Sequence, residues 1–195
     1  MSDIAFGSKH VAAANKAPAS QIAKSIGTPA ETTHGFVVKL ADELDDTSRE
    51  SIWAIFAANM RAMYTNSSFG WDPPAKKAEL FDPLSRFLLV KTGAALVAFV
   101  TFRFEFEDGN DILYCYDLQV SEAARRRGLG RVLMEYLANI AKDMKMQKIM
   151  LTVFKGKHSN IAALRFYETA GFRMDWQSPN DEDEEDYKIL SKRIQ

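Results

Sequence analysis

A chain of 195 residues, 47% hydrophobic and 26% charged, is long enough to bury one sizeable core and too apolar to stay disordered. Its formal net charge of −1 gives no bulk attraction for nucleic acid, and the absence of an apolar run of about eighteen residues excludes a membrane-spanning helix. The single cysteine, Cys115, excludes an internal disulfide, the scattered His10, His34 and His158 predict no metal site, and the amino terminus has no secretory apolar stretch, so a soluble intracellular protein is expected.

Residues 1–33, rich in Ala, Ser, Lys and Thr with Pro18 and Pro29, read as an amino-terminal extension. Its KHVAAANKAPASQIAKSI segment predicts short helices packed on a body that spans 34–195. GFVVKL (35–40) reads as a first strand. DDTSRESIWAIFAANMRAMY then places Ile52, Ile55, Phe56, Met60 and Met63 on one helical face, with Thr47 or Ser48 as the cap. A shorter helix is expected after Pro73 and Pro74. Three apolar or alternating runs near 86–91, 94–106 and 111–120, separated by TG and EDGN turn signals, predict an antiparallel meander. Leu129, Val132, Leu133, Tyr136, Leu137, Ile140 and Met144 then form a sustained helical stripe. KIMLTVF (148–154) reads as a strand, SNIAALRFYETA as a helix ending at Gly171, and FRMDWQS and DYKILSKR as two last strands. The fold class is α/β: a mixed, mostly antiparallel sheet of about seven strands flanked by helices.

The segment DLQVSEAARRRGLGR joins a strand to a helix through a loop of arginines and glycines. Unpaired N–H groups at the positive end of a helix dipole form an anion site. Gly128 and Gly130 would let an anion approach the backbone, and Arg125, Arg126, Arg127 and Arg131 suit phosphate oxygens. A basic surface loop with a glycine helix start is the alternative from this segment alone. A dinucleotide loop is excluded because Leu133 stands where a third glycine is needed, and a P-loop because Gly-Lys-Ser/Thr is missing.

The run from Arg125 to Gly130 fits the Arg/Gln-x-x-Gly-x-Gly/Ala motif of the GCN5-related N-acetyltransferases, and SNIAALRFYETAGF (159–172) resembles their second cofactor segment. The resemblance covers residues 35–193 and implies that family's fold with acetyl-coenzyme A as cosubstrate. Its pyrophosphate would lie on Arg125, Arg126, Arg127, Gly128, Leu129, Gly130 and Arg131, and its pantetheine along Leu118, Gln119 and Val120, where the strands at 111–120 and 148–154 would splay apart. Asn160 would lie beside the pantetheine or simply cap its helix. LYCYDLQV, RRRGLGR, IMLTVFKGKHSNIAALRFY, DYKILSKR and NMRAMYTNSSFGW are, in addition, similar to the NatD-type N-terminal acetyltransferases, which acetylate the amino-terminal serine of histones H-four and H-two-A. That branch implies histone N-terminal peptides as partners, the ribosome as a further candidate, no direct nucleic-acid or membrane partner, and a cytoplasmic and nuclear location. It typically carries glutamate where Asp117 stands.

A terminal amine, with a pKa of roughly 8, arrives protonated and needs a base before it can attack a thioester. Asp117 is the candidate, with burial raising its pKa and a bound cation opposing that rise. A backbone N–H near Leu118 would stabilise the developing oxyanion, and no acyl-enzyme is needed, so Cys115 reads as a small strand residue. Strict strand alternation, however, sets Asp117 opposite Tyr114 and Tyr116, and only a β-bulge would bring all three into one pocket. A Ser-Gly-Arg-Gly substrate needs a narrow slot and carboxylates. Glu105 and Glu107 are candidate acidic contacts or solvated strand-end charges. Tyr64, Phe69, Trp71, Tyr114, Tyr116 and Tyr187 are candidate walls, with plain core roles open for Phe69 and Trp71. Thr152 would bond the substrate serine or sit as a buried strand threonine. DEDEED (181–186) either attracts a basic tail or is a solvated loop, and Tyr167 holds the place of a general acid but is explained as a helix-stripe residue. An acetyltransferase for lysine or small amines, and a non-catalytic acyl-coenzyme A-binding module, remain the alternatives.

Overall fold

The computed structural model describes residues 8–27, 33–155, 161–180, 182–183 and 185–195. Seven strands form one mixed sheet in the order β1-β2-β3-β4-β5-β7-β6. The first four, β1 (Gly35–Leu40), β2 (Arg86–Thr92), β3 (Ala95–Glu107) and β4 (Asn110–Val120), make the expected antiparallel meander. The β3–β4 hairpin closes through two residues, Asp108 (φ 47°) and Gly109 (φ 76°), whose left-handed backbone matches the twist of the flanking strands. β5 (Lys148–Phe154) runs parallel to β4, so a crossover is obligatory, and the helix α5 (Leu129–Asp143) supplies it. β7 (Tyr187–Arg193) pairs antiparallel with β5, while β6 is reduced to Arg173–Met174, shorter than the FRMDWQS strand expected from sequence. The chain leaves β6 at Asp175, whose carboxylate meets the Lys148 ammonium at 3.2 Å in a buried pair.

The helices α1 (Lys9–Lys16), α2 (Ala19–Lys24), α3 (Asp46–Thr65), α4 (Pro73–Leu80) and α6 (Ile161–Thr169) complete the fold with α5. One core joins Val11, Ile22, Phe102, Leu133, Leu137 and Ile140 and so binds α1, α2 and α5 to the sheet. A second joins Ile52, Phe56, Leu80, Phe87 and Phe99, seating α3 and α4 on the other face. Caps explain where the α3 and α4 helices begin: Asp45 Oδ1 accepts the Ser48 N–H at 2.7 Å, and Asp72 Oδ1 accepts the Ala75 N–H at 3.0 Å. Asp45, rather than Thr47 or Ser48, is therefore the α3 cap. Among the described residues no helix is long and apolar enough to cross a membrane.

The amino-terminal segment is integral to the first core. Ile22 is fully buried, the Asn15 amide donates to the Phe104 carbonyl at 3.1 Å, and the Arg86 guanidinium donates to the Asn15 carbonyl at 2.8 Å. Truncating Ile22→Ala should therefore destabilise the whole domain by about 2–4 kcal/mol in denaturant unfolding, the cost of a core cavity. A loss below about 0.5 kcal/mol, the scale of a surface change, would show that α2 merely rests on the domain.

Candidate active site

The site begins with an irregularity in β4. Thr101 of β3 faces Asp117, but its neighbour Phe102 faces Cys115, so Tyr116 is the extra residue of a bulge. One extra residue reverses the facing of everything beyond it. Leu113 and Cys115 pack into the first core, and beyond the bulge Leu118 and Val120 pack against that same core. Tyr114, Tyr116, Asp117 and Gln119 consequently share the opposite face.

Next to the bulge the sheet forks. The parallel ladder between β4 and β5 ends at Cys115–Leu151, although β4 continues to Val120 and β5 to Phe154. Past that point β4 keeps its β3 partner on one side only, and the backbone of residues 116–120 meets no ladder partner on the β5 side. A cavity of about 1200 Å³ fills the fork and runs from the start of α5 to a wall of aromatic rings.

At one end lies the glycine-arginine loop. Gly128 (φ 80°) takes the left-handed conformation that α5's start requires, and among the described residues no side chain caps that helix, so its first N–H groups are left for the cavity. Arg126, Gly128, Leu129, Gly130 and Arg131 line the cavity here. Gly130 lines the cavity as expected and is also tightly packed, since a Cβ there would lie 3.1 Å from the Phe166 ring of α6. One sequence expectation changes. Arg127 is exposed and lies outside the cavity wall, because Arg126 (φ 61°) and Gly128 turn the chain on either side of it. Arg125 does line the cavity, but its guanidinium is already engaged with Asn59 of α3 at 2.5 Å and the Val120 carbonyl at 3.2 Å. Asn160 lies outside the described residues.

Asp117 stands where the fork meets the aromatic wall. Its Oδ1 accepts from the Gln119 amide at 2.9 Å. Burial is the main influence on it and outweighs that bond; with the Glu79 carboxylate adding to the rise and Lys76 opposing it, the carboxyl is pushed up from 3.8 to about 7. Around it stand Tyr64, Phe69, Phe154 and Tyr187, with ring centroids 4.9 Å apart for Tyr64 and Phe154 and 5.7 Å for Phe69 and Tyr187. Tyr114 and Thr152 share a 2.5 Å hydrogen bond, and Tyr116 donates to Glu105 at 2.8 Å, across a rim that Glu107 extends. Burial lifts Tyr114 to about 12 and raises Tyr116, Tyr167 and Cys115 as well, so all four stay neutral at pH 7. Cys115 is accordingly no thiolate nucleophile. The Glu105 carboxyl is also raised, chiefly by burial.

Other placements decide between readings that the sequence leaves open. Trp71 is not a cavity wall: it stacks on Trp53 at 5.6 Å and on Phe56 at 6.2 Å, inside the second core behind Tyr64. Thr152 is exposed to the cavity, not buried as a strand threonine. Asp186, from the acidic run, receives the Ser68 N–H at 2.5 Å, while Asp181 and Glu184 lie outside the described residues. Sequence reading missed Asn59, Lys76, Glu79 and Phe154, all of which line the cavity. Lys76 lies 4.4 Å above the Tyr64 ring and pairs with Glu79 at 2.6 Å. Among the described residues no cluster of His, Cys, Asp and Glu could hold a metal ion.

Comparison with known proteins agrees with this architecture. The family model described as "Acetyltransferase (GNAT) family" matches residues 35–172. The ribosomal-protein-S18-alanine N-acetyltransferase of Escherichia coli is similar at 19% identity and a TM-score of 0.55, over 82% of this chain and 94% of its own. Ard1 from Thermoplasma volcanium is similar at 16% identity and 0.58, over 82% and 98%. An aminoglycoside 6'-N-acetyltransferase complexed with coenzyme A is similar at 14% identity and 0.59, over 82% and 97%. At such identities the likeness is one of fold.

The raised Asp117 carboxyl has a stability consequence. A folded-state value of about 7 above an ordinary 3.8 favours the protonated form, so the contribution is fully present below pH 4 and is lost as pH rises through 7. Asp117→Asn should therefore unfold at a higher temperature than the parent at pH 8, by at most about 4 kcal/mol in stability, and the gap should close below pH 4. A gap that does not change with pH, or a less stable variant at pH 8, would contradict this placement of Asp117.

Proposed function

The chain belongs to the acetyltransferase (GNAT) family, and from that premise we propose that it acetylates the terminal amine of histone-like proteins beginning Ser-Gly-Arg-Gly, with acetyl-coenzyme A as donor. The observation that carries this reading is a near-neutral carboxylate, Asp117, placed between a forked strand and an aromatic cavity rimmed by Glu105 and Glu107.

The donor fits the residues present. The uncapped start of α5, with Arg126 and Arg131 beside it, offers N–H groups and positive charge to a pyrophosphate, and the open edge of residues 116–120 offers backbone partners to an amide-bearing arm. When bound, the donor supplies an activated acetyl thioester. The protein's part is to deliver a free amine to it. At pH 7 a terminal amine with a pKa of roughly 8 is mostly protonated. Asp117, titrating near 7, is matched to take that proton, where an ordinary aspartate would be too weak a base.

The aromatic rings and the Tyr114–Thr152 pair form a slot suited to a small first residue and its hydroxyl. Glu105 and Glu107 then face the position of a basic side chain farther along the peptide. Tyr114, Tyr116 and Tyr167 remain neutral and act as walls and hydrogen-bond partners. With histones as substrates, the enzyme would meet them in the cytoplasm, at the ribosome, and in the nucleus.

Incubation with acetyl-coenzyme A and a Ser-Gly-Arg-Gly peptide should give amino-terminal acetylation, with the acid limb of the rate profile falling about tenfold per pH unit below 7. Asp117→Asn should lower turnover by about 10²- to 10⁴-fold, the usual contribution of a general base, while coenzyme A still binds. Efficient acetylation of the same peptide with its amino terminus blocked would assign the activity to side-chain amines instead, and full turnover in Asp117→Asn would remove it as the base.

A further inference from the structure

A chain of side-chain hydrogen bonds runs from the arginine loop to Asp117 on β4 by way of Asn59 of α3, which is about sixty residues away in sequence. Arg125 Nη2 donates to Asn59 Oδ1 at 2.5 Å, Asn59 Nδ2 donates to Gln119 Oε1 at 3.0 Å, and Gln119 Nε2 donates to Asp117 Oδ1 at 2.9 Å. Two side contacts brace it: Asn59 Nδ2 and Arg125 Nε both donate to the Val120 carbonyl, at 3.1 and 3.2 Å.

The direction of every amide in this chain follows from its charged end. A guanidinium has only donors, so Asn59 must turn its oxygen toward Arg125. Its NH₂ then faces Val120 and Gln119, both of which present oxygen. Gln119 has one oxygen and one NH₂ to place, and with the oxygen spent on Asn59 the NH₂ must face Asp117. Reversing either amide would set donor against donor or acceptor against acceptor. Gln119 is 7% exposed, so water is not at hand to relieve the mismatch.

Among the described residues the Gln119 amide is the one hydrogen-bond donor to Asp117. Of the other groups facing it, Lys76 and Glu79 from α4 act on it through charge, while Tyr64 from α3, Cys115 from β4 and Tyr167 from α6 are neutral groups whose own pKa values the Asp117 charge helps to raise. Thr101, directly across on β3, is buried with a hydroxyl that has no hydrogen-bond partner among the described residues. We infer that Arg125, Asn59 and Gln119 are positioning residues that orient one N–H onto Asp117, so that an arginine of the anion loop fixes the geometry of the base. The inference rests on the reading of Asp117 as that base. It also separates Arg125, committed to the chain, from Arg126 and Arg131, whose charges serve the anion end.

The test is the titration of the Asp117 carboxyl in the full-length protein, followed by carbon-13 NMR and assigned by its loss in Asp117→Asn, alongside the pH profile of peptide acetylation. Gln119→Met removes the donor at similar size. Asn59→Leu adds no charge and removes the donor that holds the Gln119 oxygen, so that the Gln119 amide is no longer oriented toward Asp117. Both substitutions should raise the midpoint by about one unit, the worth of a hydrogen bond to a charged group, and should move the acid limb of the rate profile to higher pH by the same amount. Arg125→Met should move both in the same direction. If Gln119→Met and Asn59→Leu leave the midpoint in place, the inference is overturned, and one folded variant of the two suffices to decide. If those two move it and Arg125→Met does not, the part assigned to Arg125 is overturned. Because the titration needs no substrate, a shifted midpoint with no acetylation of the Ser-Gly-Arg-Gly peptide would overturn the proposed substrate and leave the positioning chain standing.

Discussion

The site depends on one extra residue. Without the bulge at Tyr116, strict alternation would turn Asp117 into the core beside Cys115 and put Leu118 and Val120 on the face of Tyr114 and Tyr116. With it, an uninterrupted apolar face continues along β4 toward the first core, while Tyr114, Tyr116, Asp117 and Gln119 collect on the other face. The same stretch loses its β5 partner after Cys115–Leu151. The bulge and the fork together set an open backbone edge and a carboxylate at the same place, which neither feature would do alone.

The electrostatics follow from that geometry. Asp117 is held in a walled position with, among the described residues, one hydrogen-bond donor and a Lys76–Glu79 pair close by, and burial prevails. This arrangement costs stability at neutral pH, because the folded chain must hold a carboxylate where water would solvate it better. The cores on both faces of the sheet offset that cost, and they include the amino-terminal helices through Val11 and Ile22. Burial of the carboxylate at the site is thus supported by packing far from it.

Much of this was legible in the sequence, for identifiable reasons. The meander, the crossover and α5 were visible because hydrophobic period and turn chemistry are local. The glycine-arginine loop was visible because a motif is contiguous. What escaped needed knowledge of which faces meet. Trp71 stays open between cavity wall and core in the sequence, because an aromatic near the site reads the same whether it faces the cavity or, as found, stacks behind Tyr64 on Trp53 and Phe56. Gly130 lines the cavity, but its packing against Phe166, thirty-six positions on in the chain, leaves no local signal. Lys76 and Glu79 lie on a short helix with no motif. Asn59 did leave a signal: it falls on the stripe of Ile52, Ile55, Phe56 and Met63, and a polar residue on an apolar helical face marks a position with a partner to find.

Amide hydrogen exchange with and without coenzyme A tests the central claim, that the forked strand forms the donor's slot, most directly. New protection should appear in residues 116–120 of β4 and in the first turn of α5, with little change in the paired segments from 86 to 107. Protection confined to surfaces away from the fork, or none within 116–120 when coenzyme A is bound, would contradict the account.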